Sequence, residues 1–327
     1  MRQFDLMGKS SAAHSVKASI NAKRLSHAIM ITGEKGIGKK TFANYICSLL
    51  VCEAGNKPCY ECVPCNKIIK GIHPDVYKIY PAGKSETIGV NEIKPIKENL
   101  YIKPNDANCK IFILYEADRM NRFAQNAMLK MIEEPPEDSY FIFTCKNSQA
   151  LLPTVRSRMV NIALSPASKD EVYALLENRM PQTPKEALKR AAELCCGNIG
   201  LALEIIEDEK VNRLYEDVEN VAKAVCDSDR ALLTLRLGKY SADKESAVRL
   251  VELLKLVFRD TCALNAGNAE LLSGCAAAEQ LSKTCGGKAC LDLMVACDRF
   301  LAAIKGNANL ALSLADFEIS LGKAVGR

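Results

Sequence analysis

The chain has 327 residues, of which 48% are hydrophobic and 25% are charged, so its composition excludes a disordered or fibrous protein. No run approaches the roughly 18 consecutive apolar residues that a membrane span requires, and we expect no membrane contact. The net charge of +5, from 44 basic and 39 acidic side chains, is too small to indicate nucleic-acid binding by itself. The length predicts two or three domains, and the start lacks the apolar core of a secretory signal, which predicts a cytoplasmic protein.

The first predicted elements are a strand, a glycine loop and a helix. Residues 28–32 form a continuous apolar run typical of a buried strand, and residues 41–50 follow with a helical pattern. Between them, Gly33, Gly38 and Lys39 have the spacing G-x-x-x-x-G-K of a loop that binds phosphate through its backbone N–H groups. The order of strand, loop and helix is the context that this motif requires.

The loop departs from that of an ATP-hydrolysing enzyme at Lys40. The motif has a Ser or Thr hydroxyl there that binds Mg²⁺, and a cation at the same position repels the metal. Pairing Lys40 with Thr41 in a shifted register does not restore the motif, because Lys39 then replaces the glycine. We predict a degenerate phosphate loop that keeps an anion cradle, which leaves ATP or another nucleotide open as a ligand. The candidate binding residues are Gly33, Gly36, Gly38, Lys39, Lys40, Thr41 and Glu116.

A group of four cysteines follows the predicted helix. Cys52, Cys59, Cys62 and Cys65 have the spacing C-x6-C-x2-C-x2-C, and two overlapping C-x2-C pairs let their thiolates converge on one ion. Four sulfur ligands complete the tetrahedral shell of a structural site, so we predict a zinc knuckle. An iron–sulfur cluster and four reduced thiols in a loop are the alternatives. His73 lies close in sequence and is expected to be a loop residue and not a further ligand.

Two more apolar runs, at residues 111–115 and 140–144, predict buried strands, and the first leads into the acidic segment 116–118. Between these runs, a stripe of apolar side chains at helical spacing predicts a helix that faces the core and ends before Pro135. Short apolar runs that alternate with helical patterns predict an α/β core in which a parallel sheet is flanked by helices. The stripe consists of Met120, Phe123, Ala124, Ala127, Met128 and Met131.

Beyond Pro166 the strand patterns end, and the remainder is predicted to be helical. We predict a core domain over residues 1–166, with the knuckle at about 52–65, a small helical domain over 167–208 and an all-helical domain over 209–327. The 15 cysteines occur without a secretory signal, which indicates reduced thiols. Those with irregular spacing near the end are expected to be buried thiols: Cys275, Cys285, Cys290 and Cys297.

Three further segments, at residues 24–28, 127–136 and 152–159, read RLSHA, AMLKMIEEPP and LPTVRSRM. Together with the glycine loop and the cysteines, they resemble the bacterial clamp-loader subunits of the AAA+ superfamily, which open a sliding clamp and place it on primed DNA. The resemblance is strong over the first half of the chain and weaker over the second. It implies an AAA+ core with an inserted zinc knuckle, a small helical lid domain and a C-terminal helical collar domain through which subunits form a ring.

The family contains an ATPase subunit of the gamma or tau type and a stator subunit of the delta-prime type, and the two differ at the nucleotide site. In the ATPase a strand ends in Asp-Glu, whereas here Tyr115 precedes Glu116, so the aspartate that holds the metal is missing. The family's Gly-x-x-Arg segment corresponds to residues 197–200, which read GNIG and lack the arginine. Together with Lys40, these departures imply no intrinsic ATPase activity and a non-catalytic subunit of a DNA polymerase holoenzyme.

The resemblance implies a catalytic contribution from Arg158 at another subunit. Ser157 and Arg158 match the family motif whose arginine reaches across a subunit interface to the neighbour's ATP. A finger of this kind commonly contributes about a thousandfold or more to the rate of hydrolysis. We therefore expect Arg158 to act in trans, and the alternative is a surface arginine without this role.

The favoured hypothesis is a delta-prime-like stator that assembles with gamma/tau-type and delta-type subunits, the sliding clamp and primed DNA. The first alternative is an active gamma/tau-type ATPase, which the intact Gly33, Gly38, Lys39 and Thr41 favour. The second alternative is a zinc-dependent module that binds nucleic acid. The ATPase subunit often carries a further C-terminal extension, so the end of this chain at residue 327 is what the resemblance implies for a stator.

Overall fold

The computed structural model describes residues 10–83, 86–267, 273 and 275–325. The chain divides into two compact units, which comprise residues 1–166 and 167–327. The first unit contains every strand of the described residues, and the second is helical. The further division of the second unit into a lid over 167–208 and a collar over 209–327 stays a prediction.

The first unit is built on a five-stranded parallel sheet in the order β2-β3-β4-β1-β5. The chain passes from β1 to the far edge, returns through β3 and β4 to the side of β1, and then crosses over β1 to β5. The loops that follow β1 and β3 therefore lie at the same edge of the sheet, where parallel strands end and ligands bind in open α/β sheets. The strands are β1 (Ala28–Thr32), β2 (Val76–Ile79), β3 (Lys110–Leu114), β4 (Ser139–Cys145) and β5 (Val160–Ala163).

Helices cover both faces of this sheet. Alternate residues of a strand face opposite sides, and in β1 Ile29 and Ile31 pack on one side with α2, whereas Met30 packs on the other with α5. The prediction of a parallel sheet flanked by helices is thus confirmed. The helices of this unit are α1 (Ser11–Asn21), α2 (Lys39–Val51), α3 (Val63–Lys70), α4 (Lys94–Asn99), α5 (Arg122–Glu133) and α6 (Pro153–Arg156).

The prediction is wrong for one residue of the apolar stripe, which does not face the core. Phe123 is 76% exposed, whereas Ala124, Met128 and Met131 are buried. The reason is geometric, since Phe123 precedes Ala124 by one residue and therefore points about 100° away from the buried face of α5.

The second unit contains two apolar cores. One core joins α7, α8 and α9, and the other joins α10 to α15. None of the helices in the described parts of the chain is long and apolar enough to cross a membrane. The helices are α7 (Lys169–Arg179), α8 (Lys185–Leu194), α9 (Ile199–Glu207), α10 (Glu209–Asp227), α11 (Arg230–Gly238), α12 (Lys244–Asn265), α13 (Ala277–Thr284), α14 (Gly287–Lys305) and α15 (Leu310–Ala324).

The later cysteines lie inside this unit. Each of the four that sequence spacing assigned to the interior is buried, and burial raises the pKa of Cys275 to about 11 and that of Cys297 to about 12. Such thiols remain protonated near neutral pH and behave as small apolar side chains. The prediction of buried thiols is confirmed for Cys275, Cys285, Cys290 and Cys297.

Candidate nucleotide site and cysteine cluster

The glycine loop connects β1 directly to the first turn of α2. A Cβ atom at Gly33 would lie only 2.9 Å from Cγ2 of Ile37, so a larger residue does not fit without a shift. Gly38 caps α2 with a φ of 102°, a backbone region that glycine occupies without strain. The backbone N–H groups of the first helical turn have no partner within the helix and are suited to an anion.

Lys39 folds back over this loop. Its ammonium group donates to the carbonyl oxygens of Gly33 at 2.7 Å and Glu34 at 2.8 Å. Burial lowers the pKa of Lys39, and the charge of Asp118 is the largest of several effects that act in the opposite direction. The ammonium group of Lys39 therefore lies beside the loop and donates to two backbone carbonyl oxygens. An oxygen atom of a bound phosphate can accept these hydrogen bonds instead.

Lys40 lies against two stacked tyrosines. Its Nζ atom is 5.4 Å from the ring centroid of Tyr115 and 5.6 Å from that of Tyr80, and the two ring centroids are 4.8 Å apart. A cation within about 6 Å of an aromatic face is attracted by the ring quadrupole. Lys40 and Tyr115 are two of the residues that differ from those of an ATPase. They are therefore neighbours in space, and the Lys40 side chain packs on the ring of Tyr115.

Tyr115 immediately follows β3 and is almost fully buried, with 2% of its surface exposed. Burial, and after it the neighbouring Tyr80, raises the pKa of Tyr115 above its ordinary value. The phenol consequently stays protonated and neutral near pH 7, and it offers no carboxylate to a divalent ion.

The acidic side chains after β3 are engaged within the protein. Glu116 forms an ion pair of 3.0 Å with Arg119, and its backbone N–H donates to Oγ1 of Thr144 at 3.1 Å. Asp118 accepts hydrogen bonds from the backbone N–H groups of Lys146 and Asn147. The carboxylate of Asp118 therefore fixes the loop after β3 to the loop after β4, whereas that of Glu116 is paired within its own loop.

These side chains line one open cavity of about 720 Å³, large enough for a nucleotide. Of the predicted binding residues, Gly36, Gly38, Lys39, Lys40 and Glu116 line it. Gly33 and Thr41 are not among its described lining residues, since Gly33 supports the loop and Thr41 lies within α2. The cavity is lined by Lys35, Gly36, Gly38, Lys39, Lys40, Tyr80, Pro81, Glu86, Glu116, Asp118, Arg119, Thr144 and Lys146.

Arg158 lies just after α6 and is not among the described residues that line the cavity. Its guanidinium donates to the carbonyl oxygen of Thr154 at 2.8 Å and forms an ion pair of 2.7 Å with Glu133, at the end of α5. The side chains of both partners are about 40% exposed, at 39% and 41%. Arg158 is thus held on the surface in a defined orientation.

The segment that lacks the arginine of the family motif begins α9. Asn198 caps this helix, and its side chain accepts a hydrogen bond from the backbone N–H of Leu201. Gly200 occupies the first turn and has no side chain with which to contact a phosphate.

The four predicted metal ligands converge between α2 and α3. The Sγ atoms of Cys52, Cys59, Cys62 and Cys65 all lie within 4.8 Å of one another. His73 is buried and its Nδ1 accepts the N–H of Asp75 at 3.2 Å, so its ring is engaged within its own turn.

The sulfur geometry fits a tetrahedral metal site. Zinc–sulfur bonds of about 2.3 Å place the corners of a tetrahedron about 3.8 Å apart, and the Sγ atoms of Cys52 and Cys59 are 3.6 Å apart. Backbone N–H groups of Glu61 and Cys62 donate to Sγ of Cys59 and lower its pKa to about 6, which favours the thiolate that a metal requires. The cluster is therefore compatible with a structural zinc site.

Sequence reasoning missed three groups of this region. Tyr80 follows the short edge strand β2, and no motif marked it as a partner of Lys40. Lys146 forms an ion pair of 2.9 Å with Glu34 of the glycine loop, although its position directly after a predicted strand was an available signal. The ion pair between Glu133 and Arg158 joins two of the segments that resemble the family, and no sequence pattern indicated this contact.

The parallel sheet, the glycine loop and the cavity at the ends of β1 and β3 define an α/β protein with a phosphate-loop-like site. Residues 8–168 match the family described as "DNA polymerase III, delta subunit". The chain is 27% identical over 264 residues to DNA polymerase III subunit delta' of Bacillus subtilis. The aligned part comprises 78% of this chain and 77% of that protein. These similarities support a clamp-loader subunit of DNA polymerase III, of the family that comprises the delta' and gamma subunits.

Gamma subunits are also similar to this chain. DNA polymerase III subunit gamma of Buchnera aphidicola (subspecies Schizaphis graminum) is 29% identical over 62% of this chain and 56% of its own length. Subunit delta' of Escherichia coli K12 is 29% identical over 59% of this chain and 58% of its own length. This chain therefore spans little more than half the length of these two relatives. Among solved structures, a gamma subunit-related protein of Thermotoga maritima has 19% identity and a TM-score of 0.44 over 95% of this chain and 99% of that one.

Proposed function

We propose that this chain is the delta-prime-like stator of a bacterial clamp loader. In this role it holds an ATPase-type partner in place and donates Arg158 to the nucleotide of that partner. Its own nucleotide site does not turn over ATP. The observation that carries the proposal is the packing of Lys40 on Tyr115, at the two positions where an ATPase has its magnesium ligands.

The chemistry of this pair explains the loss of turnover. Magnesium between the β- and γ-phosphates requires oxygen ligands and repels cations. Lys40 supplies a positive charge and Tyr115 a neutral phenol, so the site lacks both the hydroxyl and the carboxylate. Glu116 is still able to orient water, but without the metal the developing charge of the transition state is not neutralised.

The setting of Arg158 supports a function in trans. An ion pair between side chains that are about 40% exposed contributes only about 0–1 kcal/mol, because water screens it. Arg158 can therefore exchange Glu133 for the phosphate of a neighbouring subunit at little cost. Until then Glu133 and Thr154 keep the guanidinium in one orientation.

The proposed cofactor is one structural zinc ion held by Cys52, Cys59, Cys62 and Cys65. With four sulfurs as ligands, no coordination position is open to a substrate, so the metal stabilises the segment between α2 and α3 and takes no part in hydrolysis. The proposed partners are gamma/tau-type and delta-type subunits, the sliding clamp and primed DNA.

A gamma-type ATPase is the second candidate, because gamma subunits are among the similar relatives and the loop keeps Gly38 and Lys39. Turnover by the isolated chain separates the two functions, and reconstitution tests the stator function. Mixed with gamma-type and delta-type subunits, this chain is expected to co-elute in one stoichiometric complex and to raise DNA-dependent ATP hydrolysis above that of the partners alone. Failure to co-elute contradicts the proposal, and a complex that forms without any gain in hydrolysis contradicts the donation of an arginine.

A further inference from the structure

Lys40 is a fixed positive charge at the mouth of the cavity. Its side chain is exposed, and its ammonium lies near the faces of both Tyr80 and Tyr115. A lysine on the surface ordinarily samples many rotamers, and two aromatic faces restrict it by attraction from one side. The opposite side of the ammonium is open to the cavity, of which Lys40 is a lining residue.

The charges of the cavity favour an anion. Five of its lining side chains are cationic and three are carboxylates. Of the carboxylates, Glu86 and Glu116 are paired with Arg119, and Oδ2 of Asp118 accepts two backbone N–H groups, whereas its Oδ1 has no hydrogen-bond partner among the described residues. Lys39 and Lys40 add two cations on consecutive positions of the first turn of α2, next to Lys35 of the loop.

The backbone adds donors at the same place. The loop from Gly33 to Gly38 leads into α2, a helix of 13 residues whose first N–H groups point out of its end. The ammonium of Lys39 contacts carbonyl oxygens of the loop and that of Lys40 lies by Tyr80 and Tyr115, and both lysines line the same cavity. In an ATPase the second of these charges is supplied by magnesium.

We propose that Lys40 replaces magnesium as a built-in cation, so that this loop binds an oligophosphate, such as the phosphate chain of a nucleotide, without a divalent metal. The bound chain is not cleaved, because an ammonium group has no open coordination position for water. The inference concerns the same site as the proposed function and rests on its loss of magnesium ligands. It goes further in assigning a ligand class and a metal-free mode of binding.

Binding is tested by calorimetric titration of the full chain with ATP and, separately, with sodium tripolyphosphate, each in Mg²⁺-free buffer without a chelator, which would remove the proposed zinc, and in excess Mg²⁺. We expect saturable binding without Mg²⁺ and no gain in affinity with Mg²⁺, since the metal neutralises phosphate charge that Lys40 would otherwise contact. Comparable affinities for both ligands indicate recognition of the phosphate chain alone. Binding of ATP only indicates that the nucleoside is also recognised, and either result supports the proposal.

Variants assign the effect to one side chain. Lys40→Met keeps the aliphatic stem but removes the charge, and it is expected to weaken binding in Mg²⁺-free buffer by about tenfold or more. Lys40→Thr restores the hydroxyl and is expected to make binding stronger with Mg²⁺ than without it. The matched control is Lys70→Met. Lys70 is exposed at the end of α3 and is not among the described residues that line the cavity, so this variant is expected to bind both ligands as the wild type does. Both Lys40 and Lys70 are exposed, so these variants are expected to fold.

Three outcomes overturn the inference: no binding of either ligand in Mg²⁺-free buffer, binding that requires Mg²⁺, or unchanged affinity in Lys40→Met. Each of them leaves the proposed absence of ATP hydrolysis untouched. Conversely, turnover of ATP in Mg²⁺ overturns the proposed function whatever the affinity without Mg²⁺. The two proposals therefore fail separately.

Discussion

Arg158→Ala is expected to lower ATP hydrolysis at the neighbouring subunit's site by about a thousandfold, while the complex still assembles. The guanidinium is proposed to stabilise the negative charge that develops on the transferred phosphate, and alanine removes that stabilisation. Within its own chain Arg158 contacts only Thr154, Ser157 and Glu133 in the described hydrogen bonds and ion pairs, so its loss is expected to leave the fold intact. Single-turnover hydrolysis in the reconstituted complex measures the effect, and size-exclusion chromatography measures assembly.

Two variants control this experiment. Arg156→Ala removes an arginine two positions away whose guanidinium is bound to Gln149 of the same chain at 2.7 Å, and it is expected to hydrolyse ATP at the wild-type rate. Arg158→Lys keeps the charge but loses the planar fork of donors, and an intermediate rate is expected. If Arg158→Ala hydrolyses ATP at the wild-type rate within an intact complex, Arg158 is a surface residue without a role in trans.

Removal of zinc is expected to have the largest effect on stability. Binding free energies of structural zinc are on the order of 10 kcal/mol, and the segment from Cys52 to Cys65 has little apolar core of its own. Freshly reduced protein is expected to contain one zinc per chain by elemental analysis. A strong chelator is expected to abolish hydrogen-exchange protection between α2 and α3, and to lower the melting temperature.

A pair of cysteine variants separates metal binding from the loss of a thiol. Cys59→Ser replaces a partly exposed ligand and is expected to lose the zinc and the local protection together. Cys226→Ser changes a partly exposed cysteine of the second unit, outside the cluster, and is expected to retain one zinc. Reduced protein without any bound metal, and with the same stability before and after chelation, contradicts the zinc site.

The central strands could be predicted from the sequence because a strand buried on both faces is a continuous apolar run. The predicted β1 agrees with the structure at both ends, and β3 and β4 differ by at most one residue at each end. The two edge strands were not predicted. In β5 the residues Val160 and Asn161 are exposed, and the run VNIA has neither the length nor the apolar character of the central strands.

The candidate site was only partly predictable for a different reason. The glycine loop and the cysteine cluster are local in sequence, and spacing alone brings their residues together. The packing of Lys40 on Tyr115 joins positions 75 residues apart, and Tyr80 comes from an edge strand that the sequence did not reveal. The sequence could therefore show two separate departures from an ATPase, whereas their contact depends on the positions of β1 and β3 on either side of β4.

The proposed stator function requires that this chain's own nucleotide site does not hydrolyse ATP. The decisive measurement is phosphate release by the isolated chain in saturating Mg²⁺ and ATP, compared with Lys39→Ala prepared in the same way. We predict that the wild type releases phosphate no faster than Lys39→Ala. Robust magnesium-dependent turnover that Lys39→Ala abolishes would contradict the account, because the chain would then be an ATPase in its own right.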